Sequence, residues 1–330
     1  MVPQRDDVLE WLLAGDPAIR WQTLSDLEHA PDDHVAAHRE RVAHEGWGAR
    51  LIAHQLPDGS WDGGACFPSE FSAELYENEG QPWTATYPTL TLLCAMGADA
   101  ADPVVAAAAD RVEASVVWEH AGQPFFDGEV EPCINGRTVA LCAWLGRDAS
   151  PIVERLLAER LPDGGWNCEA PHASAVSSFD TTINALEGLA AYAAAGGRVP
   201  VDAALRGGEE YLLERGMFRR LATGEPAAAR FLDLAFPPQW HYDILRGLDH
   251  LRCAGRAPDP RAADAIEILR SKCGPDGRWC LERVHRGRMH FPLEAVGEGS
   301  RWITLRAMRV LDWWDSAQSA AAAQPEPARQ

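Results

Sequence analysis

A short turn closing on tryptophan occurs three times in this chain, as Leu56-Pro-Asp-Gly-Ser-Trp61, Leu161-Pro-Asp-Gly-Gly-Trp166 and Gly274-Pro-Asp-Gly-Arg-Trp279. A degenerate copy, Phe125-Phe126-Asp127-Gly128, lies between the first two. Self-similarity at this scale signals a repeated supersecondary unit, and such units are stable only when stacked on one another. Six apolar helical segments share a second pattern near their starts, around Thr23, Thr86, Thr138, Thr182, Asp243 and Thr304. Ser, Thr, Asn and Asp suit that position because their side chains accept from free backbone N–H groups. Between these segments lie six amphipathic stretches, near 6–14, 33–54, 103–118, 151–159, 201–215 and 260–272, each with one polar face. Apolar and amphipathic helices alternating in this way predict an all-α fold, an (α/α)6 toroid of six helical hairpins. Six parallel helices would form its inner barrel, with their N-termini gathered at one rim.

The 330 residues suit one such ring, expected over residues 1–315, followed by an Ala- and Pro-rich tail (316–330) expected to be disordered. A formal net charge of −19 argues against nucleic acid as a partner, since phosphate binding needs a basic surface. Lys272 is the only lysine, which disfavours Schiff-base chemistry. No apolar run reaches the ~20 residues of a membrane span, and the polar, acidic first residues do not read as a signal peptide. Eight cysteines without a secretory signal read as reduced thiols, so the expected compartment is the cytoplasm.

The tryptophan turns resemble the repeats of squalene–hopene cyclases and of protein prenyltransferase β subunits, and the likeness runs from about Asp16 to Trp314. Those families share the α/α toroid, so the resemblance implies that fold. It also implies an apolar or isoprenoid-like substrate. Squalene cyclases have two such barrels in a longer chain, and this sequence has room for one. The cyclases protonate an alkene with the middle acid of an Asp-x-Asp-Asp-Thr motif. Here the matching stretch is Ser177-Ser178-Phe179-Asp180-Thr181, which keeps only Asp180 and has Phe179 at the donor position. Prenyltransferase β subunits work with a helical partner, so a protein partner or a homodimer is a further expectation.

The prenyltransferases also hold zinc through an acidic residue, a Cys near such a turn and a His opening a later inner helix. By that likeness, and because the rim gathers first turns, Cys133, Cys168 and His241 are the expected ligands of a Zn²⁺ ion. Two thiolates and a neutral imidazole would balance its charge and leave a fourth position open. Asp180 is expected beside the metal as a general acid/base or weaker ligand, and His172 competes as a ligand. The alternatives are core packing for the cysteines, a helix-capping role for Asp180 and His241, a metal-free cyclase using Asp180 as its acid, and a non-catalytic toroid. Trp83, Tyr87, Phe179, Trp240, Tyr242 and Trp302 are expected to line an aromatic cup, with Arg301 at its rim for an anionic group of the guest. The turn tryptophans themselves are read as structural.

Overall fold

The computed structural model describes residues 5–169 and 176–322, with side chains through Ser319. Its regular structure is helical, and strand-like pairing among the described residues is limited to isolated bridges. The inner helices are α2 (Pro17–Asp26), α6 (Thr86–Met96), α8 (Pro132–Trp144), α10 (Phe179–Ala194), α12 (Ile244–Cys253) and α14 (Arg301–Ala322). The helices preceding them are α1 (Arg5–Leu13), α4 (Gly46–Ala53), α7 (Pro103–Ser115), α9 (Ser150–Ala158), α11 (Asp202–Glu214) and α13 (Ala263–Ser271). Two more, α3 (Asp32–Arg39) and α5 (Ala73–Glu79), are extra to the six hairpins.

The repeated turn shows why the hairpins form. In each copy the indole N–H donates to a carbonyl ten residues earlier, at the end of the outer helix: Trp61 to Leu51, Trp166 to Leu156 and Trp279 to Leu269, all at 2.7 Å. The backbone N–H of the same tryptophan donates to the hydroxyl of a threonine on the next inner helix: Thr86 at 3.1 Å, Thr182 at 3.1 Å and Thr304 at 3.0 Å. Each clasp thus bonds a carbonyl in the last turn of the outer helix and fixes outer to inner helix. The structural reading of these tryptophans holds.

Successive inner helices pack side by side from α6 through α8, α10 and α12 to α14, and α14 packs on α2. The α8–α10 approach is close enough that a Cβ on Gly136 would lie 2.3 Å from the Asn184 carbonyl oxygen, which only glycine permits. Trp21 and Gln22 of α2 donate to the carbonyls of Met96 (2.9 Å) and Ala95 (3.3 Å) on α6, closing the ring.

Two boundaries differ from expectation. The 33–54 stretch breaks at Gly46, which adopts a left-handed φ of +63° where Asp16 Oδ2 would lie 2.0 Å from an added Cβ. The last inner helix also runs past residue 315 to Ala322, because the alanine-rich sequence that resembles a tail is equally a good helix former. No helix among the described residues is long and apolar enough to cross a membrane.

Candidate functional site

Several loops meet over the rim where the inner helices begin. The segment before α6 and the loop before α14 meet there: the Trp83 N–H donates to the Arg288 carbonyl at 2.7 Å, its indole to the Arg286 carbonyl at 3.1 Å, and Arg286 to the Glu77 carbonyl at 3.1 Å. Trp240 is fastened to the same cover through Gln81 Oε1 at 3.0 Å. His241 stacks between Trp240 and His285, with ring centroids 3.7 Å away on each side. Burial, helped by His285 and Arg230, pushes the His241 pKa down to about 2, so the ring is neutral.

Two of the expected ligands do meet. Cys133 opens α8 and Cys168 follows the Trp166 turn, and their sulfurs lie 3.1 Å apart. The third group beside them is the Glu131 carboxylate, 3.4 Å from the Cys133 sulfur. The ligand atoms of these three residues all lie within 4.8 Å of one another, a grouping that does not include His241. Sequence reasoning passed over Glu131 because its proximity comes from the turn of chain entering α8. His172 lies outside the described residues.

Asp180 is fully engaged. It accepts a two-pronged ion pair from Arg230 (2.6 and 3.1 Å) and the backbone N–H of Tyr242 at 2.7 Å. It therefore ties the start of α10 to the 230–242 segment. Of the expected cup, Phe179 and Tyr242 pack with Phe231 and Tyr211 in a buried cluster, and Tyr87 packs on Trp118. Arg301 reaches outward instead, donating to the Trp11 carbonyl at 3.0 Å and lying over that ring. Trp83 borders a minor cleft beside His290 and Phe291.

Trp302 is the exception, because it lines the barrel lumen. This cavity holds about 420 Å³ and reaches the last turns of the inner helices at Ala95, Ala194 and Cys253. On the other side it stops at Phe236-Pro-Pro-Gln239. Its wall is part apolar, from Pro88, Leu92, Ala190, Ala191, Phe236 and Trp302, and part ionic. Glu187 sits between Arg137 and Arg246, the latter donating twice at 2.7 and 2.8 Å. Burial alone would raise the Glu187 pKa, but the two guanidinium groups outweigh it and hold the carboxylate at about 2. Asp249 accepts from Arg252 at 2.8 Å and Arg306 at 3.2 Å, while Arg309 reaches Asp26 at 2.6 Å and Gln22 Oε1 at 3.0 Å. The sequence offers a signal for this lining that was missed: Trp302, Arg306 and Arg309 are spaced to share one face of α14.

No protein-family model matches the chain, and no curated protein does. Among solved structures it is similar to a protein from Actinoplanes, at 14% identity over 92% of this chain and 90% of that one, with a TM-score of 0.42. It is similar, too, to the type II terpene cyclase MstE from Scytonema. An apo form of a variant matches at 17% identity over 92% of this chain and 88% of that one, with a TM-score of 0.42. A variant of MstE solved with its substrate geranylgeranyl dihydroxybenzoate matches at 16% identity over 92% and 87%, with a TM-score of 0.41.

Proposed function

We propose that this toroid is a terpenoid-cyclase-like enzyme that holds a small, largely apolar, isoprenoid-like molecule in the lumen of its inner barrel. The observation that carries this reading is the lumen cavity of about 420 Å³, walled on one side by Phe236, Trp302 and aliphatic residues. Its size falls within the ~300–1,000 Å³ of small-molecule sites. The carboxylates that face it, Glu187 and Asp249, are held ionised by arginines, so neither is a free proton donor to an alkene, and Asp180 lies outside the cavity lining, paired with Arg230. That arrangement supports holding and orienting an isoprenoid chain more than it supports protonating one. Binding of farnesol to the full chain, followed by calorimetry, tests the reading. Saturable binding that Ala191→Trp abolishes while the protein stays folded is the expected result. Binding unaltered by filling the lumen would overturn it.

The thiol pair favours a second, separate feature. Two thiols and a carboxylate are donors that zinc accepts, so Cys133, Cys168 and Glu131 fit as its ligands, without His241. When bound, the ion would supply a Lewis-acid centre or a rigid cross-link. None of the three residues lines the lumen, which supports the second role, a clasp between the Trp166 turn and α8. Metal analysis of reduced protein tests it: about one zinc per chain, lost in Cys168→Ala, is expected. A metal content that Cys168→Ala leaves unchanged would end this assignment.

A further inference from the structure

The lumen wall carries hydrogen-bonding groups with nothing to bond. The indole N–H of Trp302, Nη1 of Arg306, Nε of Arg309 and the hydroxyl of Thr91 are all buried without a partner, and all four residues line this one cavity. Their residues are between 2% and 9% exposed. Leaving a buried donor unmade costs about 1–3 kcal/mol, and more when the donor is charged. Four such groups around one cavity point to a missing acceptor.

The charge of the wall agrees. Arg137, Arg246, Arg306 and Arg309 line the cavity against two carboxylates, Glu187 and Asp249, with Asp26 behind Arg309 as a third. This cationic interior sits inside a chain whose formal net charge is −19. The two arginines with idle nitrogens are held in place by their other nitrogens, Arg306 on Asp249 and Arg309 on Asp26 and Gln22. They are therefore pre-oriented, which lowers the entropic cost of meeting a ligand.

Resting on the lumen reading above, we infer that the substrate carries an oxyanion head group, a carboxylate or a phosphate, on its apolar body. Arg306, Arg309, the Trp302 indole N–H and Thr91 would receive the head group, and the apolar lining, Pro88, Leu92, Ala190, Ala191 and Phe236, would take the body. An oxyanion offers several lone pairs to donors set on two helices, whereas an alcohol offers one oxygen. The wall's excess of guanidinium groups also disfavours a cationic guest.

The test compares three molecules that share one body: farnesyl phosphate, farnesoate and farnesol, each below its aggregation concentration, titrated into the full chain by calorimetry. At least one anion is expected to bind about 10–100-fold tighter than farnesol, as two or more charged hydrogen bonds imply. Whichever of phosphate and carboxylate binds tighter identifies the head group. The preference should persist at high salt, because buried pairs are screened far less than surface ones. Thr91→Val deletes an idle donor at nearly constant volume and Trp302→Phe deletes one along with part of the ring, and each is expected to weaken anion binding several-fold more than it weakens farnesol binding. Equal affinity for all three molecules would overturn the head-group inference and leave the lumen reading standing. No binding of any of them would overturn both. An anion preference unchanged in both variants would place the anion elsewhere and also overturn the inference.

Discussion

The two ends of the inner barrel handle buried polarity in opposite ways. At the rim where the inner helices begin, most buried polar groups are paired, His241 Nδ1 apart: Asp180 with Arg230 and the Tyr242 N–H, the turn tryptophans with helix-end carbonyls, Trp240 with Gln81. Around the lumen, ion pairs such as Glu187–Arg246 and Asp249–Arg306 sit beside buried donors of Trp302, Arg306, Arg309 and Thr91 that have no partner. A satisfied network stiffens a fold, while idle donors are retained at a cost to stability. The difference separates what holds this protein together from what it uses.

Substitutions can break that contrast, beginning with the largest expected effect. Glu187 is held by both Arg137 and Arg246, so Glu187→Ala leaves two interior cations without their counter-ion. A loss of about 3–5 kcal/mol in urea unfolding is expected. A loss below ~1 kcal/mol would mean the lumen charges are solvated like surface ones. Next come the tryptophans. Trp166→Phe strands the Leu156 carbonyl, whereas Trp302→Phe removes an N–H that bonds to nothing. Trp166→Phe should therefore cost about 1–3 kcal/mol more in the same assay. Equal costs would erase the distinction between clasp and lumen.

Acid sharpens the comparison from the rim. Burial lowers the pKa of His241 to about 2 and of His285 to about 4, against ~6.5 in an unfolded chain. The unfolded state therefore takes up protons that the folded rings refuse. The stability these groups contribute is whole above about pH 6.5 and is lost as pH falls from there toward the folded values. Urea midpoints measured from pH 7.5 to 5 should decline, and His241→Phe should flatten the decline. An unchanged slope in that variant would show that His241 does not carry the effect. The smallest expected effect belongs to Thr91→Val, which deletes an unbonded hydroxyl at nearly constant volume. Thermal unfolding should move by less than the equivalent of ~0.5 kcal/mol. A larger drop would reveal a partner for that hydroxyl.

The architecture was legible because it rests on local patterns. The Pro-Asp-Gly-x-Trp turns and the Thr near each inner start are visible in sequence, and both halves of the clasp are made of those residues. The meeting of Cys133 and Cys168 followed from the same topology. The third member of that group did not, because the ring's curvature decides which late neighbour approaches, and His241 went to the aromatic stack instead. The aromatic cup failed for a related reason: an aromatic at the start of an inner helix points as readily between helices as into the lumen, and Phe179, Tyr87 and Tyr242 fill the seams. The lumen lining was written in the sequence as charged residues on otherwise apolar helices, Glu187, Arg246, Arg306 and Arg309. Their meaning emerges only when the six inner helices are brought around one space.

Closure of the ring has a bearing on how the cavity comes into being. Two of the idle guanidinium groups and the indole ride on the sixth inner helix, and the carboxylates that aim those arginines belong to the first and the fifth. An incomplete arc of hairpins would carry apolar side chains and turn clasps but no seat for an anion. Recognition in this protein is thus a property of the finished circle, switched on by the same docking event that completes folding.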